Sequence, residues 1–355
     1  MKMRAAVLEG PRKIMLREVP DPVLGPNDVL VKVEVCGVCG SDIAYYQRGR
    51  ADVPPPIILG HEFSGTVVEL GETASSLEIF KKGDRVVAEP VMSCGSCNPC
   101  KQGAPNLCIR PTVLGVNVNG GMAEFCAVRY DYLHKIPEGV SFEEAAFTEP
   151  LACALHGIKK LRISPGKSSA VIGPGPIGLM VVQYLKKAGS SPIILIGTRD
   201  YRLEVGLKLG ADNAINIKDK QSKYYAESVV DRVKGITGGE GVDRVFVATG
   251  DTYGNQLAVK IAGAKSVVVF FGGASYDPTS TISLPLWDAT LGEKEFVFSW
   301  LSPYTFPEAL MAIQKKLVDV TSLITHSFML EDAGKAIETA EGRIGNALKI
   351  QVRST

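Results

Sequence analysis

Val29, Val31, Val33 and Val35 alternate with Leu30, Lys32 and Glu34, a period of two that predicts a half-buried strand. Residues 65–70, 85–88 and 123–128 read as further short strands, and Gly and Pro punctuate them. Short strands at this spacing predict a barrel-like or partly open antiparallel lobe. Around Ser141 the period changes. Ser141-x-x-Glu144 is a capping box that opens an alanine- and leucine-rich helix running to Leu161, interrupted at Pro150. From Ser169, apolar strands at 170–172, 193–196, 245–248 and 267–271 alternate with helices at 177–187, 202–209, 225–233 and 253–261. That alternation predicts an α/β fold with a doubly wound parallel sheet. After Ser283 the rhythm loosens into helices at 307–316 and 331–339 and a last strand at 347–352. The expected division is a β-rich domain at 1–155, a doubly wound α/β domain at 156–290, and a segment at 291–355 that returns to the first domain.

Composition narrows the function. A chain of 355 residues suits about two domains. Its 39 Lys and Arg nearly balance 38 Asp and Glu, and no long basic run appears, so a small molecule is a better partner than nucleic acid or an anionic membrane. The N-terminus becomes charged again before a signal-peptide apolar stretch develops. No apolar run approaches the ~18 residues of a membrane span, and a cytoplasmic location is expected.

Four of the eight cysteines, Cys94, Cys97, Cys100 and Cys108, are spaced Cys-x2-Cys-x2-Cys-x7-Cys. Four thiolates this close can enclose one zinc in a tetrahedron, and the clustering favours reduced thiolates over disulfides. A closed site of this kind folds a lobe but takes no substrate. Cys36 and Cys126, in strand-like alternations, and Cys153, in a helix, read as inert buried thiols.

Gly173-Pro-Gly175-Pro176-Ile177-Gly178 is Gly-x-Gly-x-x-Gly between an apolar strand and a helix. The first glycine permits a tight turn, the second lets backbone approach a pyrophosphate, and the third packs the helix onto the strand. The next strand would end, in an NAD site, in an acidic residue for the ribose hydroxyls. Here it ends in Gly197, followed by Thr198, Arg199, Asp200, Tyr201 and Arg202. A glycine leaves room for a 2′-phosphate, which Thr198 and Arg199 can bind, so NADP is expected in preference to NAD. Asp200 is the counter-argument, because a longer strand would let it serve the ribose.

Cys39-Gly-Ser41-Asp42 follows a strand and Gly60-His61-Glu62 lies on a later turn, so a thiolate and an imidazole can converge on one metal. Glu62 and Glu149 are the carboxylates available as a third ligand, leaving a position open for water or a substrate oxygen.

Cys-Gly-Ser-Asp, Gly-His-Glu, the four-cysteine loop, Gly120-Gly-Met-Ala-Glu124, Thr148-Glu-Pro-Leu151 and the glycine fingerprint stand in the order and spacing of the zinc-dependent medium-chain dehydrogenases. Over nearly its whole length the chain resembles that family, most of all the sorbitol (polyol) and threonine dehydrogenase branch. The resemblance implies a GroES-like catalytic domain formed from both chain ends beside a Rossmann domain. It implies two zinc ions per chain, one in the four-cysteine loop and one catalytic. Cys39 and His61 become ligands of the latter, and Glu149 the third protein-side group, directly or through water. Glu62 becomes a neighbour able to exchange with it, Asp42 the carboxylate that orients His61, and Ser41 the hydroxyl that receives the substrate proton. In such enzymes zinc lowers the pKa of the bound alcohol and hydride passes from its carbon to the nicotinamide.

The chain departs from the family in three places. Ala44 replaces a proton-relaying histidine of many relatives, Gly197 replaces the usual aspartate, and Glu293 alone remains of an Arg-Glu pair in the polyol pocket. Tyr45 aligns with a pocket-lining tyrosine of the polyol branch, and Gly272 follows a strand where room for the nicotinamide is needed. The resulting expectation is a zinc-dependent oxidoreductase linking a secondary alcohol, in the class of polyols or sugar alcohols, and its ketone to NADP, working as a homo-oligomer, tetramer or dimer. The competing readings are an NAD-dependent threonine-type or simple alcohol dehydrogenase, and a non-catalytic zinc and nucleotide protein.

Overall fold

The structure, a computed structural model, describes residues 2–49, 55–271 and 280–354. Two compact units emerge: Met1–Pro150 with Phe306–Lys316 and Val320–Thr355, and Leu151–Thr305 with Leu317–Asp319.

The first unit opens with β1 (Lys2–Gly10), β2 (Lys13–Pro20) and β3 (Asp28–Gly37). Then come α1 (Gly40–Arg48), β4 (Ile57–Ile58), β5 (Glu62–Leu70), α2 (Glu72–Ser76) and β6 (Arg85–Ala88). Next in the chain are β7 (Val91–Met92), α3 (Asn98–Lys101), β8 (Thr112–Val113), β9 (Phe125–Arg129), β10 (Leu133–Lys135) and α4 (Phe142–Ala145). A seven-stranded sheet has β10, β6, β5 and β3 side by side, with β9 also paired to β3. In β3 the valines predicted to face inward are buried while Leu30, Lys32 and Glu34 are half exposed, the one-sided burial of an antiparallel sheet. Their core includes Leu8, Ile58, Phe63, Val86 and Met122.

The helix expected from Ser141 to Leu161 is two helices, α4 and α5 (Thr148–Leu161). Ser141 does cap α4, its Oγ accepting from the N–H of Glu144 at 3.1 Å. Pro150, expected to interrupt, sits in the first turn of α5, where its missing N–H deprives no carbonyl of a partner.

The second unit continues with β11 (Ser169–Ile172), α6 (Pro176–Lys187), β12 (Ile193–Gly197), α7 (Asp200–Lys208) and β13 (Asn213–Asn216). It goes on through α8 (Val229–Ile236), β14 (Val242–Val247), α9 (Thr252–Ile261), β15 (Ala262–Phe271), α10 (Leu286–Leu291) and β16 (Glu295–Ser299). Its six strands are parallel in the order β13-β12-β11-β14-β15-β16, the doubly wound arrangement. Every residue of β11 and β12 is buried, as strands covered on both faces require. Two strands of this sheet have no counterpart in the sequence reading: β13, with two asparagines, and β16, which starts on Glu295 and keeps Phe298 exposed. Both are sheet edges, where the apolar run that marks an inner strand is not needed.

The chain end supplies α11 (Phe306–Gln314), β17 (Ile324–Met329), α12 (Ala333–Gly342) and β18 (Lys349–Arg353). β18 pairs antiparallel with β3, Val352 opposite Cys36 and Gln351 opposite Gly37. No helix among the described residues is long and apolar enough to cross a membrane.

Candidate metal and cofactor sites

Cys39 is the N-cap of α1, and His61 and Glu62 lie where the chain enters β5. Between them stands Asp42, fully buried in the first turn of α1. Its Oδ2 accepts from the Cys39 N–H at 2.9 Å and its Oδ1 from the Gly60 N–H at 3.4 Å. One carboxylate thus ties both ligand-bearing loops together. Gly60 has φ +92°, and a Cβ there would fall 2.5 Å from Cys36 Sγ, so this position requires glycine both for backbone and for space. The buried thiol of Cys36, pushed far up by burial, acts here as core filler.

The ligand atoms of Cys39, His61 and Glu62 lie within 4.8 Å of one another. Nδ1 of His61 is buried without a hydrogen bond and 3.6 Å from Asp42 Oδ1. The hydrogen bond between His61 and Cys39 therefore uses Nε2. An imidazole with one nitrogen toward a thiolate and the other toward a buried carboxylate is posed as a metal ligand with its orienting partner. Burial alone would lower the His61 pKa, but Asp42, Cys39 and Glu149 together outweigh it and hold it well above its ordinary value. A pocket that attracts positive charge this strongly fits a divalent cation. A thiolate, an imidazole and a carboxylate are a zinc-type donor set. Glu149, 6% exposed in the first turn of α5, is felt electrostatically by His61 but is outside the three-residue cluster. Ser41 is buried in the first turn of α1. Tyr45, from the same helix, is 4% exposed and belongs to the hydrophobic core.

Sequence reasoning passed over Lys349. It is 4% exposed on β18, and its Nζ donates to Glu62 Oε2 and, at 3.1 Å, to the Val38 carbonyl oxygen. The only sequence signal is a lysine inside an otherwise strand-like terminal run.

The second cluster joins the sulfurs of Cys94, Cys97, Cys100 and Cys108 within 4.8 Å. Sγ of Cys97 is 3.4 Å from that of Cys100 and 3.9 Å from that of Cys108. A tetrahedron with Zn–S of about 2.3 Å has an edge of about 3.8 Å, so the sulfurs stand at zinc spacing. Backbone N–H groups of Cys94 and Arg110 donate to Cys108 Sγ at 3.3 and 3.4 Å. Hydrogen bonds from Ser96, by side chain and backbone, and from Cys97 push Cys94 down to about 5, while desolvation pushes Cys100 up to about 11. No cysteine is in a disulfide.

In the second unit the glycine fingerprint joins β11 to α6, with Gly175 as N-cap and Pro176 in the first turn. Gly173 has φ +103°, and a Cβ there would lie 2.7 Å from the Ala248 carbonyl oxygen. A Cβ on Gly178 would overlap the Gly173 carbonyl oxygen, whereas Gly175 is open except for Arg202 Nη1 at 4.0 Å. The middle glycine therefore faces free space with a cation beside it, as a phosphate cradle needs, and Ile177 lies in the first turn of the helix behind it. Thr198 and Arg199 are exposed after β12. A Cβ on Gly197 would come 2.5 Å from Pro174 Cγ, so Pro174 fills the space from which a carboxylate at 197 would extend. Asp200 Oδ1 accepts from Asn216 Nδ2 at 2.7 Å and Ser222 Oγ at 2.6 Å. Glu293 sits on the exposed turn before β16, paired with Lys265. Gly272 lies outside the described residues.

Comparison with known proteins agrees with this chemistry. The family model described as the alcohol dehydrogenase GroES-like domain matches residues 25–138, and that described as zinc-binding dehydrogenase matches 176–315. A sorbitol dehydrogenase of Bombyx mori is 34% identical over 352 residues, covering 98% of this chain and 97% of its own. A zinc-binding dehydrogenase structure from Sinorhizobium meliloti 1021, bound to NADP, superposes with TM-score 0.90 at 30% identity over 99% of both chains. An Escherichia coli CFT073 structure described as a short chain alcohol dehydrogenase, complexed with NADH, superposes with TM-score 0.88, also at 30% identity and 99% coverage of both chains.

Proposed function

We propose, from the premise that this chain belongs to the zinc-dependent medium-chain alcohol dehydrogenase family, that it oxidises a secondary alcohol of the polyol or sugar-alcohol class to its ketone with NADP in preference to NAD. Membership makes it an oxidoreductase acting on CH–OH. The observation that carries the metal chemistry is the convergence of half-buried Cys39 with buried His61 and Glu62, tied by Asp42.

A zinc ion at this cluster supplies Lewis acidity toward a substrate oxygen. Cys39, His61 and either Glu62 or Glu149 hold it, and Asp42 fixes the His61 ring. Ser41 would receive the hydroxyl proton while passing its own to the cofactor ribose, to water or to Glu62, since Ala44 has no proton to relay. Cys94, Cys97, Cys100 and Cys108 hold a second zinc that orders their loop. NADP preference is supported by the lack of an acidic side chain at Gly197, where Pro174 occupies the adjoining space so that a phosphate would lie beside residues 198 and 199 instead, by exposed Thr198 and Arg199, and by Arg202 beside the glycine loop.

A homo-oligomer, dimer or tetramer, is part of the same reading. Its support is the exposed apolar set on α10 and the edge strand β16: Leu286, Trp287, Leu291 and Phe298, each at least 68% exposed. The eight unbridged cysteines support a reducing, cytoplasmic setting.

The test is the initial rate of NADP reduction, with NAD in parallel, over secondary alcohols, polyols, sugar alcohols and threonine. The reading expects turnover that a chelator abolishes and that is faster with NADP. Turnover only with NAD, or with threonine above every polyol, would replace it by the threonine-type reading.

A further inference from the structure

The segment that follows β12 carries charges of both signs, and the fold sorts them. In the sheet, β12 lies between β11, whose following turn holds Gly173 and Gly175 and leads into α6 with Gly178, and the edge strand β13. Arg202 reaches toward the glycine loop, its Nη1 4.0 Å from where a Cβ on Gly175 would stand. Asp200 turns the other way, toward β13. The register sets Asn216 opposite Gly197, and Asn216 Nδ2 donates to Asp200 Oδ1 at 2.7 Å while Ser222 Oγ donates to the same oxygen at 2.6 Å.

Asn216 is itself immobilised. It is 1% exposed, its Oδ1 accepts from the N–H groups of Lys218 and Asp219 at 2.9 and 3.0 Å, and its N–H donates to the Tyr224 carbonyl oxygen at 2.9 Å. Its amide orientation is thereby fixed with the NH2 group toward Asp200. Ser222 Oγ also accepts from the Tyr224 N–H at 3.0 Å, which directs its proton to the carboxylate.

We propose that Asn216 and Ser222 are specificity-determining residues for the cofactor: they hold the Asp200 carboxylate on the β13 side of β12, so that the end of β12 stays open to a 2′-phosphate. The inference rests on the reading that NADP is preferred and that its 2′-phosphate lies beside Thr198 and Arg199. Released, Asp200 places a negative charge on the segment that must bind a dianion, and gains a ribose hydroxyl as an alternative partner. The one acidic residue of the segment is thus neutralised in effect by position rather than by substitution.

The probes are 2′,5′-ADP and 5′-AMP, which differ only in the phosphate at issue, with dissociation constants measured by calorimetry on the full chain. Wild-type protein is expected to bind 2′,5′-ADP more tightly. Ser222→Ala and the double variant with Asn216→Ala are expected to weaken 2′,5′-ADP by about fivefold, the size of a carboxylate–phosphate repulsion across a few ångströms of wet surface. Binding of 5′-AMP should stay within about twofold. Adding Asp200→Asn should erase the loss, which a structural role of Ser222 would not predict. A wild-type preference for 2′,5′-ADP whose ratio to 5′-AMP is unchanged in the variants, or a loss that persists with Asp200→Asn, overturns the inference alone. A wild-type preference for 5′-AMP overturns the NADP reading and the inference with it. If the Asn216 variant does not fold, Ser222→Ala with and without Asp200→Asn decides the matter.

Discussion

Lys349, on the last strand, holds Glu62, on the edge of the metal cluster, through a fully buried ion pair. Burial would lower the lysine pKa, but Glu62, Cys39 and Glu149 reverse the effect and raise it, so the ammonium is retained. The pair opposes two demands on Glu62: it supplies the countercharge that makes a buried carboxylate tolerable, and it competes with a cation for the same side chain. Gly37 belongs to this arrangement, because a Cβ there would overlap Glu62 Oε2 and crowd Lys349 Cε at 3.1 Å.

Replacing Lys349 by Met leaves that carboxylate without its partner. The expected loss is about 3–5 kcal/mol in zinc-free protein, the usual result of breaking a buried pair from one side. With zinc bound the loss should shrink, because Glu62 then has a second cation within reach. Denaturant unfolding with and without zinc measures both values, and equal losses would disprove the competition.

An aspartate at 197 restores the acidic residue of an NAD site on paper only. Pro174 Cγ stands 2.5 Å from the required Cβ, so Gly197→Asp must displace the glycine loop itself. The expected result is weaker binding of both NADPH and NADH, with a melting temperature below wild type. Tighter NADH binding in this variant would show that the loop yields without cost.

On the proposed NADP reading, Arg199→Ala removes a charge that only the phosphorylated cofactor would use. NADPH binding is expected to fall by about tenfold or more, and NADH by much less, on the scale of a charge-assisted hydrogen bond. Fluorescence titration with both cofactors checks the ratio, and equal losses would remove Arg199 from phosphate binding.

The acid limb of stability has an identifiable contributor in α5. Burial, followed by the charges of Lys160 and Lys159, holds His156 down at about 4. The unfolded chain protonates this ring near its ordinary value of 6.5 and the folded chain does not, so stability is full above 6.5 and declines as pH falls toward 4. His156→Gln should therefore lose less melting temperature than wild type between pH 7 and pH 5. Parallel losses would remove His156 as the source over this window, because the carboxylates Glu144 and Asp243, both held below their ordinary values of 4.5 and 3.8, lose their contribution only at lower pH.

Much of this was legible from residues alone, for physical reasons that differ by element. Inner strands such as β11 and β12 are apolar throughout because both faces are covered, and β3 alternates because one face is not. The edge strands β13 and β16 carry neither pattern and escaped notice. The four cysteines are local in sequence, so their spacing encodes their geometry. Lys349 is 287 positions from Glu62, and no local pattern could join them. Asp200 was visible as a charge, but its direction depends on Asn216 and Ser222, which are meaningful only once β13 is placed beside β12.

The most direct test of the central claim is a zinc titration of fully chelated protein, with metal uptake and NADP-linked alcohol oxidation followed on the same samples. The account predicts that wild-type protein takes up two zinc per chain and regains activity only with the second. His61→Ala should take up one, in the four-cysteine loop, and stay inactive. Full activity at one zinc per chain, or an active His61→Ala protein, would contradict a catalytic metal at Cys39, His61 and Glu62.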